Sequence, residues 1–231
     1  MINFAVVKVG DKYNNDYVIR MKNAVKRHCR QPHKFHVFTD RPFSYDDCVV
    51  HRLPKLPIEN SPLKGWWYKL YLFNQENGLS DKIFYIDLDC VIVGNLDRLI
   101  PAHNGFEICQ DFNRNKNPNI DAINSSVMSW TPSPDTQRIW DQWHADSRRY
   151  VSELRGDQDY LQRYCKWIDF RYNNKNSILS YKWEVCANTH NRVKEFNLTP
   201  VLESDQHSIY VFHGKPDPHE VDHPVIKHNW R

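Results

Sequence analysis

Glycine is scarce in this chain, with seven in 231 residues, and only Gly10 follows the first apolar stretch, INFAVVKVG. That leaves no glycine-rich loop after a first strand, the loop that a sugar nucleotidyltransferase requires. The six cysteines (Cys29, Cys48, Cys90, Cys109, Cys165 and Cys186) stand singly with no CxxC pair. Neither a zinc knuckle nor a disulfide scaffold fits that spacing, and buried free thiols in a reducing compartment are expected. Runs of five or six like charges are absent as well. With 31 basic and 28 acidic residues the formal net charge is +3, so a nucleic-acid partner has no compositional support. No apolar run approaches the ~20 residues that cross a bilayer. The first residues lack the charged start, apolar stretch and small-residue cleavage site of a signal peptide. The expectation is a soluble, cytoplasmic protein without a transmembrane segment, with peripheral membrane association left open.

What is present is an ordinary globular composition, 40% hydrophobic and 26% charged. A chain of this length can bury roughly 70% of its unfolded surface. Residues 2–9 and 34–39 read as strands, with a surface helix over 16–30 between them. CVVHRL is a short apolar run closed by Pro54. Residues 64–74 place large apolar side chains at helical spacing. KIFYIDLDCVIV is then an almost unbroken apolar run of strand length, interrupted by two carboxylates. Continuous apolar strands mark a parallel sheet covered on both faces, so the β-α-β-α order predicts an open α/β sheet with helices on both sides. FEICQDF and SSVMSW read as further strands around an Asn-rich loop at 113–119. Helices are expected over 135–147 and 157–164, and HSIYVFH as a last strand. Nothing repeats and no long linker appears, so one domain is expected. The polar stretch 171–205 has no clear periodicity.

The strongest local signal is Asp87-Leu88-Asp89. Strand side chains alternate with a period of two, so the aspartates project to one side. Two carboxylates in a buried strand are costly unless paired or bound to a metal. At the carboxyl end of a strand, where ligands sit in open α/β sheets, they would make a hard oxygen site for magnesium or manganese bridging a diphosphate.

The surrounding residues sharpen this reading. The stretch IFYIDLDCVIVGNLDRLI, with Tyr68-Lys69-Leu70 upstream, resembles the GT-A glycosyltransferases of the retaining, glycogenin-like family, which includes bacterial lipopolysaccharide galactosyl- and glucosyltransferases. Three further blocks follow in the family's order: Ile123-Asn124-Ser125-Ser126-Val127-Met128, Gly156-Asp157-Gln158-Asp159-Tyr160-Leu161, and Val211-Phe212-His213-Gly214-Lys215-Pro216. The resemblance implies a single GT-A domain, with 1–100 as its nucleotide-binding half, 101–231 as its donor-sugar and acceptor half and 171–205 shaping the acceptor site. Such a domain transfers a hexose from a nucleotide-sugar, UDP-sugar in that family, to a glycan, lipid-linked or protein hydroxyl with retention of configuration. It implies a metal site of Asp87, Asp89 and His213, manganese being favoured over magnesium by the imidazole. Lys69, Gly214 and Lys215 would then serve the diphosphate. Asn124, Asp157 and Gln158 would hold the donor sugar near the reacting carbon, with Tyr13 under the nucleobase and Tyr17 its rival. The sequence departs from the family at Ser126, where glycine is usual, and at Asp217, where tryptophan follows the Lys-Pro pair. The sequon at Asn124 falls inside this expected site, which argues against a glycosylating compartment.

Two other readings use the same residues. DLDCV also fits the first motif of a haloacid-dehalogenase-type phosphatase, but 86 residues precede it, and the only Asp-Asp pair, Asp46-Asp47, lies before the strand. A non-catalytic nucleotide- or carbohydrate-binding module would keep the pocket without needing every metal ligand. The tryptophans Trp66, Trp67, Trp140 and Trp143 are expected in the core or in groove walls.

Overall fold

The computed structural model describes residues 1–41, 44, 46–56, 65–101, 103–112, 122–169, 177–186 and 205–231. The Asn-rich loop and most of the 171–205 stretch therefore lie outside the described residues. The core is a seven-stranded sheet built from β1 (Ile2–Lys8), β2 (His33–Thr39), β3 (Val49–Arg52), β4 (Lys82–Ile86), β6 (Glu107–Gln110), β7 (Ile123–Trp130) and β8 (Ile168–Asp169). Its order is β3-β2-β1-β4-β7-β6-β8. The pairings β3–β2, β2–β1, β1–β4 and β6–β8 are parallel. As the apolar runs predicted, the sheet is mostly parallel. The exception is β7, which inserts antiparallel between β4 and β6.

Alternation along the central strands feeds two cores. Phe4, Val6, Phe84 and Ile86 face α1 (Asn15–His28) and its buried Val18, Met21 and Val25. Ala5, Ile83, Tyr85, Met128 and Trp130 face the opposite layer. That layer comprises a 3-10 helix (Gly65–Phe73) and the helices α2 (Pro134–Ala145), α3 (Ser147–Glu153) and α4 (Asp157–Tyr164). Helix α1 starts at Asn14, whose side chain accepts from the Asp16 N–H, and carries Lys26, Arg27 and His28 in its last turn, complementing the helix dipole. Helix α2 opens on a capping box between Ser133 and Thr136, with Pro134 in its first turn.

Two expectations need correction. Within the 64–74 stretch, Gly65–Phe73 forms a 3-10 helix rather than an α-helix. Three residues per turn stack side chains in rows. One row, Trp67-Leu70-Phe73, is wholly buried, and a second, Trp66-Lys69-Leu72, runs from an open end into the interior. The apolar run KIFYIDLDCVIV is likewise not one strand. Its β4 part ends at Ile86, and β5 (Cys90–Ile92) belongs to a second, three-stranded sheet, ordered β5-β10-β9 with β9 (Ile178–Ser180) and β10 (Ile209–Val211). The chain changes sheets in a turn over 87–90, closed by the Cys90 N–H donating to the Asp87 carbonyl at 3.1 Å. Immediately after β5, Gly94 is fixed by close approach: a Cβ there would lie 2.1 Å from the His207 carbonyl oxygen. A last helix, α5 (Pro224–Asn229), packs its Ile226 into the α1 side.

All six cysteines are free; Cys29, Cys90 and Cys109 are buried, the others half-buried. At the far end of the main sheet, buried His36 holds His51 Nε2 at 2.9 Å through Nδ1 and Asn3 Oδ1 at 3.1 Å through Nε2. Burial, reinforced by His51, pushes His36 down from 6.5 to about 4. Below pH 6.5 the unfolded chain therefore takes up a proton that the folded chain refuses, and stability present above that pH is lost as pH falls toward 4. This contribution has a limiting slope of about 1.4 kcal/mol per pH unit. Urea titrations between pH 6.5 and 4 should show a shallower loss for His36→Asn than for the unsubstituted protein.

Candidate active site

The carboxyl ends of β1 and β4, the amino end of β7 and the start of α4 surround a cavity of about 940 Å³. Eight of the ten residues singled out in the sequence line it: Tyr13, Lys69, Asp87, Asp89, Asn124, Asp157, Gln158 and His213. Gly214 and Lys215 are not among its described lining residues. Lys215 turns instead to Asp217 Oδ2 at 2.6 Å and Glu220 Oε1 at 2.8 Å, two acidic neighbours on its own segment. Of the two aromatic rivals, Tyr13 reaches the cavity. Tyr17 is buried behind it, its hydroxyl 2.5 Å from His219 Nδ1. Asp46 and Asp47, which a phosphatase reading would need, are not among the lining residues either.

The floor of the cavity is a buried ionic cluster. Lys69 Nζ lies 3.0 Å from both Asp87 carboxylate oxygens, 3.7 Å from Asp157 Oδ2 and 3.4 Å from Ser125 Oγ. Ser125 Oγ donates to Asp157 Oδ2 at 2.7 Å, and Tyr85 donates to Asp87 Oδ1 at 2.5 Å. Burial alone would strip the Lys69 proton, but Asp157 and Asp87 outweigh it, and the ammonium is held above its ordinary value. For Asp157 the balance runs the other way: burial raises its carboxyl despite Lys69 and Ser125. Tyr85 and Ser125 escaped the sequence reading, although Tyr85 sits two residues before Asp87, and the period-two rule puts both on one side. Lys69 was expected near the donor phosphates; the structure gives it carboxylate partners.

Asp89 accepts from the Tyr13 hydroxyl at 2.7 Å and has Lys12 Nζ at 3.9 Å. Burial, followed by the Asp87 charge, pushes its carboxyl up to about 6. Two partly buried carboxylates on one turn are the hard oxygen pair that a divalent cation takes. His213 is held neutral, as a metal ligand must be, since burial and Lys182 push it down to about 3. However, its Nε2 is engaged by Ser180 Oγ at 2.6 Å, and its ring lies against Phe112 and Trp183. The structure therefore brings the three expected ligands to one cavity without drawing them into a cluster. No group of three or more His, Cys, Asp or Glu that could hold a metal ion occurs among the described residues.

Across the cavity, Gln158 Oε1 accepts from the Ser125 N–H at 3.3 Å, and Asn124 Oδ1 accepts from the Ser126 N–H at 3.0 Å. Neither NH2 group has a hydrogen-bond partner among the described residues. Ser126, the departure from glycine, lines the same wall. The arrangement thus sets polar donors and acceptors opposite a carboxylate pair.

The same architecture is known. The fold is similar to that of the glycosyltransferase LgtC. An active-site mutant of LgtC superposes with a TM-score of 0.63 at 13% identity, covering 98% of this chain and 93% of that one. The galactosyltransferase LgtC in complex with donor and acceptor sugar analogues gives 0.63 at 14% identity, over 94% and 88%. The glycosyltransferase GlyE of Streptococcus pneumoniae TIGR4 gives 0.56 at 14%, over 93% of this chain but 55% of GlyE. At these identities the likeness to LgtC is one of fold, a GT-A-like α/β sheet. No protein-family model and no curated protein matches the chain.

Replacing Lys69 by Met leaves buried Asp157 and partly buried Asp87 uncompensated. Removal of one partner from such a cluster costs about 3–5 kcal/mol, so urea unfolding of Lys69→Met should show a loss of that size at neutral pH.

Proposed function

We propose that this chain is a glycosyltransferase that moves a hexose from a UDP-sugar to a hydroxyl acceptor, with retention of the anomeric configuration. The observation that carries this reading is the pairing, across one cavity, of the Asp87-Leu88-Asp89 turn with the Asp157-Gln158 start of α4. The likeness in fold to LgtC supports it.

In this reading Asp87, Asp89 and His213 would hold manganese or magnesium, and the cation would supply Lewis-acid stabilisation of the leaving diphosphate. The protein's own groups do the rest. Asn124 and Gln158 offer their NH2 donors to the donor sugar's hydroxyls, and Asp157 fixes Ser125 and Lys69 beneath them. Tyr13 orients Asp89 through its hydroxyl and offers its ring to the nucleobase. Lys215, next to Gly214, serves the diphosphate on leaving Asp217 and Glu220. The bond from the anomeric carbon to the phosphate oxygen breaks as the acceptor oxygen attacks the same face, and the acceptor proton passes to the leaving phosphate. The acceptor is a glycan, a lipid-linked sugar or a protein hydroxyl, and the setting is cytoplasmic.

Isothermal titration tests the donor half of this reading. UDP should bind saturably with manganese, lose binding with excess chelator, and fail to bind Asp89→Ala. Absence of UDP binding under every metal condition would overturn the proposal.

A further inference from the structure

Trp66 breaks the pattern of its neighbours. Trp67, Trp130 and Trp143 are fully buried, whereas Trp66 keeps 40% of its surface exposed while lining the cavity. The 3-10 helix explains the direction. Trp66 and Lys69 are three residues apart and share a row, so the row that carries Lys69 to the cavity floor carries the indole to its mouth. The indole also lies close against the Gly156 backbone. A Cβ at Gly156 would lie 2.5 Å from Trp66 Nε1 and 3.0 Å from its Cδ1. The Gly156 backbone is extended (φ 176°), a conformation open to any residue, so the indole and not the backbone demands glycine here. Gly156 immediately precedes Asp157 and Gln158. A half-open aromatic plate thereby packs onto the segment that carries the sugar-facing polar groups.

An exposed tryptophan costs solubility without adding to the core. Beside a polar cavity it offers a large flat apolar face at small entropic cost, while adjacent amides and carboxylates supply directional bonds. A pyranose ring has the matching chemistry: an apolar C–H face and a rim of hydroxyls. We propose that Trp66 is the stacking platform for an acceptor pyranoside at the mouth of the cavity, seated by Gly156. This rests on the glycosyltransferase reading, and it narrows the acceptor class to a sugar rather than a protein side chain.

Saturation-transfer NMR with lactose, maltose and cellobiose as probes, on the full chain with and without UDP and manganese, tests it. At least one disaccharide should show transfer. In Trp66→Ala its affinity should fall about tenfold or more, Trp66→Phe should retain most of it, and UDP binding should be unchanged in both. Gly156→Ala, which displaces the indole, should weaken the disaccharide in the same way. Transfer that persists undiminished in Trp66→Ala, or no transfer from any of the three sugars, would overturn the platform. A loss of UDP affinity in Trp66→Ala matching the loss of sugar affinity would also overturn it, by placing Trp66 in the donor site. Failure of UDP to bind the unsubstituted protein counts against the donor reading alone, because the disaccharide measurement without UDP still stands.

Discussion

One buried ammonium organises this molecule. Lys69 enters the interior on a 3-10 helix and meets Asp87 at the end of β4, Asp157 at the start of α4 and Ser125 on β7. Three elements distant in sequence are thereby pinned to one point. Burying any one of these charges alone would cost several kcal/mol, so the cluster holds together only as a set. The consequence for the cavity is direct: the carboxylate turn and the sugar-facing helix start cannot drift apart without exposing an unpaired charge. Asp89, by contrast, is held by a phenol and a distant lysine, and burial together with the Asp87 charge raises its carboxyl.

Much of this was legible in the sequence because it depends on local periodicity. Strands β1 and β4 are read from their apolar runs, helix α1 from its surface pattern, and the same-side aspartates from a period of two. What was not legible depends on partners elsewhere. The run through Asp87 and Asp89 has the composition of one strand. It divides because Asp87 is tied to Ser126 of β7 by its backbone N–H, at 2.8 Å, while β5 pairs with the distant β10. The antiparallel insertion of β7 has no signature in its own residues. The carboxylate partners of Lys69 lie on other elements, so nothing beside it in the sequence announces them. Trp66 and Trp67 are adjacent and chemically identical, and only the 3-10 twist sends one to solvent and the other to the core.

The two sheets meet at the same turn that presents the carboxylates. His213 follows β10 of the small sheet by two residues, whereas Asp87 directly follows β4 of the large one. The pocket is thus assembled across a seam, with the backbone crossing it in a single tight step. Gly94 against the His207 carbonyl closes that seam a few residues on, with no room for a side chain.

The threefold rows of the Gly65–Phe73 helix also set what kinds of genetic change the segment can absorb. A point substitution in one row leaves the others in register, so the outward end can be recast without touching the core. Gain or loss of a single residue between Trp66 and Lys69 would instead turn every later side chain by a third of a revolution. It would carry Lys69 away from its carboxylates and bring a core aromatic to the surface. Diversification of this wall of the cavity is therefore open to substitution and closed to changes in length.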